Sequence, residues 1–149
     1  ADIEDGFAAT GNFDEDSFPE VVLVSQDAVY LLEHTGEIVW GPVRPTSGYL
    51  VGAPLVADLD GDGDTDLAGA ALLGNEVSWW ENADGTGTSW LEHTIDSSFD
   101  GAWSVHADDI DGDGDADLVW GRGHNIGLYW LRQEQLGETP GETPESETP

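Results

Sequence analysis

Short apolar runs recur along the chain, each cut off by a turn rich in Gly, Asn, Asp or Thr. A first group comprises 6–9, 21–24, 28–32 and 37–40; a second comprises 53–57, 67–72, 76–81 and 88–95. A third begins at 102–105 and continues through 118–120 and 126–131, then runs out near Arg132. β-Branched and aromatic residues dominate these runs, and turn residues separate them, which predicts antiparallel strands. No stretch before Leu131 sustains a helical period. Each group therefore reads as strand, polar loop, strand, turn, strand, turn, strand. The fold class is all-β: about three four-stranded antiparallel blades of β-propeller type, the last lacking its outer strand. The expected units are 1–50, 51–99 and 100–136, followed by a tail at 137–149. Trp79 and Trp80 must point to opposite faces of their strand, one into a core and the other outward or between blades.

The polar loop between the first two strands of each group carries most of the information. DLDGDGDTD at 58–66 and DIDGDGDAD at 109–117 differ at two positions and stand 51 residues apart. NFDEDSFPE at 12–20 is a degenerate third copy. These windows hold five, five and four acids, so 14 of the chain's 32 are concentrated there. Against three Arg and no Lys, the formal net charge of −29 argues against phosphate-backbone binding to nucleic acid. It argues equally against docking on an anionic membrane, and no apolar run approaches the ~20 residues of a membrane span. Seven Trp and a 38% hydrophobic content argue against disorder. Without Cys, no disulfide or thiolate site is available. The opening ADIEDGF has no basic or apolar leader region, so any secretion signal is expected to be gone already.

Carboxylates at alternating positions suit Ca²⁺, which takes six to eight hard oxygen ligands. In the second loop Asp58, Asp60 and Asp62 are the side-chain candidates. Asp64 would offer its backbone carbonyl, Gly63 would permit the sharp turn, and Asp66 would close the site. The third loop repeats this with Asp109, Asp111, Asp113, Asp115 and Asp117 around Gly114. In the first loop Asn12, Asp14, Asp16 and Glu20 keep oxygen donors, with the Phe18 carbonyl, but Ser17 replaces the turning glycine. Two Ca²⁺ ions are expected, with the first loop as a weaker third site. Five carboxylates in nine residues repel one another, so a cation should contribute to folding itself. An EF-hand would need Glu at position 12, where Gly69 and Trp120 stand. Mg²⁺ demands tight octahedral geometry, and Zn²⁺ would want His or Cys within the loops.

Loops 58–67 and 109–118, together with VSWWEN at 77–82 and the Gly turn after it, resemble the FG-GAP/VCBS repeat family. That family is related to the calcium-binding blades of the integrin α-subunit propeller. The resemblance spans roughly residues 6 to 132. It implies secreted or surface-exposed proteins, Ca²⁺ between the first two strands of a blade, and roles in adhesion, recognition or scaffolding. Some relatives are, or are attached to, polysaccharide-degrading enzymes. Family propellers close with more blades than this chain holds. Completion by further copies is therefore expected, through blade faces or a strand added at the open edge.

No catalytic constellation stands out. The histidines are His34, His93, His106 and His124; Ser104 and His106 share a strand face, but no nucleophile elbow accompanies them. Thr139, Thr143 and Thr148 each precede Pro in the Glu/Thr/Pro tail, a context shared by O-glycosylated stalks and plain extended linkers. The expected function is a non-catalytic, extracellular Ca²⁺-binding module for adhesion or scaffolding, with copies of itself as partners. The alternatives are a fragment recognising a glycan or a surface protein, and the accessory propeller of a polysaccharide-active enzyme.

Overall fold

A computed structural model describes residues 6–14, 16–25, 28–44, 52–71, 74–122 and 128–136. The tail with Thr139, Thr143 and Thr148, and also His124, lie outside these residues. Eleven strands form three antiparallel sheets. The first sheet orders β1 (Phe7–Gly11), β2 (Glu20–Val24), β3 (Val29–Leu32) and β4 (Ile38–Val43) as a meander. The second does the same with β5 (Leu55–Ala57), β6 (Asp66–Ala71), β7 (Glu76–Asn82) and β8 (Trp90–Asp96). In the third, β9 (Ala102–Asp108), β10 (Asp117–Arg122) and β11 (Leu128–Leu131) form three strands, in place of a fourth comes a helical turn, α1 (Gln133–Leu136).

The sheets stack in chain order, with the second in the middle. Its central strands are therefore buried on both faces: all six residues of β6 are buried, and so are six of seven in β7. Small residues in β6 let the sheets approach: Ala68 and Ala70 face the third sheet, while Leu67 and Ala71 face the first. Trp79 and Trp80 diverge as the pleat requires. Trp79 packs with Leu118, Trp120 and Phe99, and Trp80 with Phe13, Val22 and Leu31. Both are at most 2% exposed, so each tryptophan fills a seam between sheets and neither reaches solvent. Burying a side chain of that size contributes about 2–3 kcal/mol.

The end sheets show the complementary pattern. β2 alternates buried and half-buried residues, with Val22 and Val24 turned to the second sheet. Strand alternation then puts Val21 and Leu23, paired with Leu32 and Tyr30, on the opposite face. In the third sheet Val119, paired with Trp130, faces away from the stack in the same manner. First strands lie side by side, β1 against β5 and β5 against β9. This arrangement brings the three acidic loops to corresponding places in successive sheets. No helix among the described residues is long and apolar enough to cross a membrane.

Candidate metal loops

Each acidic loop joins the first two strands of its sheet, and a backbone ladder within it orients the carboxylates. In the second loop Asp58 accepts hydrogen bonds from Gly61 N–H (2.8 Å) and Gly63 N–H (3.1 Å). Asp60 accepts from Asp62 N–H (3.2 Å) and Asp62 from Asp64 N–H (2.9 Å). The third loop repeats every bond 51 residues on: Asp109 with Gly112 (2.7 Å) and Gly114 (3.1 Å), Asp111 with Asp113 (3.2 Å), Asp113 with Asp115 (3.0 Å). Gly63 and Gly114 are left-handed, with φ near 97° and 103°. Gly61 and Gly112 are left-handed as well, so the wrap uses two glycines per loop. Each ladder uses one oxygen of the position-3 and position-5 carboxylates; the second oxygen of Asp111 faces Arg132.

The first loop takes a different path. Asn12 accepts from Asp14 N–H (3.3 Å), but its amide donates to the Asp16 carbonyl (2.7 Å). Asp14 accepts from Asp16 N–H (2.7 Å), and Asp16 from Phe18 N–H (2.6 Å). Ser17 avoids the left-handed region; among the described non-glycine residues only Asn75 enters it. This loop therefore turns without a left-handed residue at Ser17, with the Asn12 amide bonded to the Asp16 carbonyl.

Position 9 closes every loop in one way. Its carboxylate accepts the backbone N–H of position 2: Glu20 from Phe13 (2.8 Å), Asp66 from Leu59 (2.9 Å), Asp117 from Ile110 (2.9 Å). All three acids are at most 2% exposed. The second oxygen of Asp66 accepts from Asn82 N–H (2.9 Å), and that of Asp117 from Gln133 N–H (3.2 Å). Burial pushes the Asp66 carboxyl up to about 7 against the lowering effect of these N–H bonds, and repulsion from Asp60 and Asp62 adds to it. Asp60 is raised too, first by burial and then by its acidic neighbours Asp62, Glu81 and Asp58. The second loop holds more negative charge than its surroundings compensate.

The loops bring specific acids together. Asp58, Asp60 and Asp62 offer oxygens within 4.8 Å of one another, as do Asp109, Asp111 and Asp117, and Asp14, Asp16 and Glu20. Asp64, Asp66, Asp113 and Asp115 are outside these triads. Asp64 instead lies against Gly85, where a Cβ would come within 2.5 Å of its carboxylate. Oxygen-only donor triads of this kind fit a hard dication such as Ca²⁺. The third loop also has a cation of its own. Arg132 Nε lies 3.3 Å from Asp111, at the repeat position that Glu81 holds beside the second loop.

Side-chain amides tie the first and second loops to the sheet that follows, a feature the sequence reading missed. Asn82, at the end of β7, donates to the Phe13 carbonyl in the first loop (3.0 Å) and accepts from Gly87 N–H (2.9 Å). Gln133, 51 residues later, donates to the Asp58 carbonyl in the second loop (3.3 Å). Asp84 anchors the 84–88 turn that presents Gly87; it bonds Thr88 Oγ1 (2.8 Å) and Thr86 N–H (3.0 Å). The Thr88 hydroxyl leads in lowering the Asp84 carboxyl to about 2. The sequence signal for these latches was an amide at one offset in both repeats, after Trp80-Glu81 and after Leu131-Arg132. His93 bonds Glu81 (2.7 Å) and stacks on Trp79, and His106 is exposed on β9.

A family model of the FG-GAP-like repeat matches the chain twice, at residues 12–69 and 58–120. Each match runs from one acidic loop through the next, so the matched unit is framed by loops and includes the seam between two sheets. No curated protein and no solved structure matches the chain significantly.

Proposed function

We infer that this chain, which belongs to the FG-GAP-like repeat family, is a non-catalytic, extracellular β-propeller-type module that binds Ca²⁺ and serves adhesion or scaffolding by assembling with copies of itself. The observation that carries the calcium reading is the identity of the two loops. Acids, glycines and ladder bonds recur 51 residues apart, and both triads present only oxygen, sharing positions 1 and 3 and taking the third donor from position 5 in one loop and position 9 in the other. Millimolar extracellular Ca²⁺ matches the affinity range of extracellular modules. Ion binding would neutralise the repulsion around Asp60 and hold each loop in the shape that its partner amide grips.

Assembly is supported by what the stack leaves uncovered. Val21, Leu23, Tyr30 and Leu32, all half-buried, lie on the far face of the first sheet, and the half-buried Trp130 lies on that of the third. Apolar blade faces of this kind are covered by the next blade in a propeller. Light scattering in Ca²⁺ at micromolar chain concentration tests this, with electron microscopy of the same sample. Closed rings or filaments that disperse in EDTA are the expected result; a monomer in Ca²⁺ refutes the assembly.

A further inference from the structure

The first loop differs from the other two at its buried carboxylate. Asp66 and Asp117 have both oxygens bonded by backbone N–H groups, from Leu59 and Asn82 and from Ile110 and Gln133. Glu20 has one oxygen on Phe13 N–H, while its Oε1 is fully buried and has no hydrogen-bond partner among the described residues. A buried carboxylate oxygen left alone is strongly unfavourable unless a proton or a cation meets it. A Glu20 oxygen lies within 4.8 Å of ligand oxygens of Asp14 and Asp16. Asp16 in turn lies within 4.8 Å of ligand atoms of Glu33 and His34.

The hairpin explains this meeting. Val21 pairs with Leu32, so the next residues outward, Glu20 and Glu33, stand opposite each other at the mouth of the loop. His34 follows at once, and the Phe18 ring stacks on its imidazole at 4.4 Å, which holds it beside the loop. The corresponding residues of the other repeats are Glu81-Asn82 and Arg132-Gln133, which bring no imidazole. Imidazole mixed with carboxylates favours first-row transition metals, whereas Ca²⁺ prefers oxygen alone. Asp16 and His34 are exposed, so their side chains can close to the ~2.0–2.2 Å bonds such an ion needs.

We propose that Asp14, Asp16, Glu20, Glu33 and His34 form a site for a first-row divalent cation of the Zn²⁺ class, chemically distinct from the sites of the other two loops. It does not depend on calcium occupying loops 58–66 and 109–117. The test is calorimetric titration of Zn²⁺ into the full chain in about 10 mM Ca²⁺, roughly tenfold or more above the dissociation constants of extracellular calcium modules. The expected result is one Zn²⁺ per chain, weakened in His34→Gln by more than the ~10–100-fold that losing an outer-shell partner costs. Glu20→Gln weakens binding likewise, and His106→Ala, which removes an exposed imidazole from β9, leaves it unchanged. Should Glu20→Gln fail to fold, His34→Gln at its exposed turn still decides the question. Absence of Zn²⁺ binding in Ca²⁺, or equal affinity in wild type and His34→Gln, overturns the proposal.

Discussion

Asp66 makes the metal-free protein lose stability as pH rises toward neutrality. Its carboxyl is 1% exposed and held at about 7 in the folded chain, against the ordinary aspartate value of 3.8 in the unfolded one. A raised folded-state value means that the native chain binds more protons than the unfolded chain between those limits. Stability must therefore fall as pH rises from about 4 to 7 and level off above. Three units at about 1.4 kcal/mol each give a loss on the order of 4 kcal/mol from this one group. Glu20 and Asp60, also raised first by burial, act with the same sign. The assay is urea denaturation at a series of pH values between 4.5 and 7.5, in buffer stripped of divalent ions by a chelating resin. The Asp66→Asn variant, which cannot ionise, should lose most of the slope. Metal-free stability that increases with pH across this window, or a slope unchanged in Asp66→Asn, refutes the reasoning.

The amide latches predict an asymmetric pair of losses. Asn82→Ala leaves the Phe13 carbonyl and Gly87 N–H without their buried partner and should cost about 2–5 kcal/mol, whereas Gln133→Ala, losing one longer and less buried bond, should cost about 1 kcal/mol, both by chemical denaturation. Trp80→Ala empties the seam between the first two sheets and should cost about 3–5 kcal/mol by the same measurement. Arg132→Gln frees the Asp111 oxygen that the guanidinium holds, so Ca²⁺ affinity at the third loop should rise, by up to about fivefold for a solvent-exposed pair, in calorimetric titration.

The strands and loops were legible because their signals are local. Gly74-Asn75 and Thr35-Gly36 punctuate apolar runs, and the 51-residue offset aligns two acidic loops almost residue for residue. The opposed faces of Trp79 and Trp80 followed from pleating, but that both would be buried required knowing that a sheet lies on each side. Contacts closed by the stack were hidden. Asn82 reaches Phe13 across 69 residues, and Gln133 reaches Asp58 across 75. Phe99 sits in a polar stretch of sequence yet is 1% exposed, because Trp120, Tyr129 and the Arg122 guanidinium enclose it. The helical turn at Gln133–Leu136 is too short to show a period, and the burial of Leu136 against the core holds it. His34 lies outside the acidic loop in sequence, and only the β2–β3 hairpin brings it back beside Asp16.

A calorimetric Ca²⁺ titration of the metal-stripped chain tests the calcium loops most directly. Two oxygen-ligated sites predict at least two bound ions, one of them lost in Asp60→Asn and another in Asp111→Asn, each variant keeping the site of the other loop. No binding at millimolar Ca²⁺, or a stoichiometry unchanged in both variants, would contradict calcium binding at these loops.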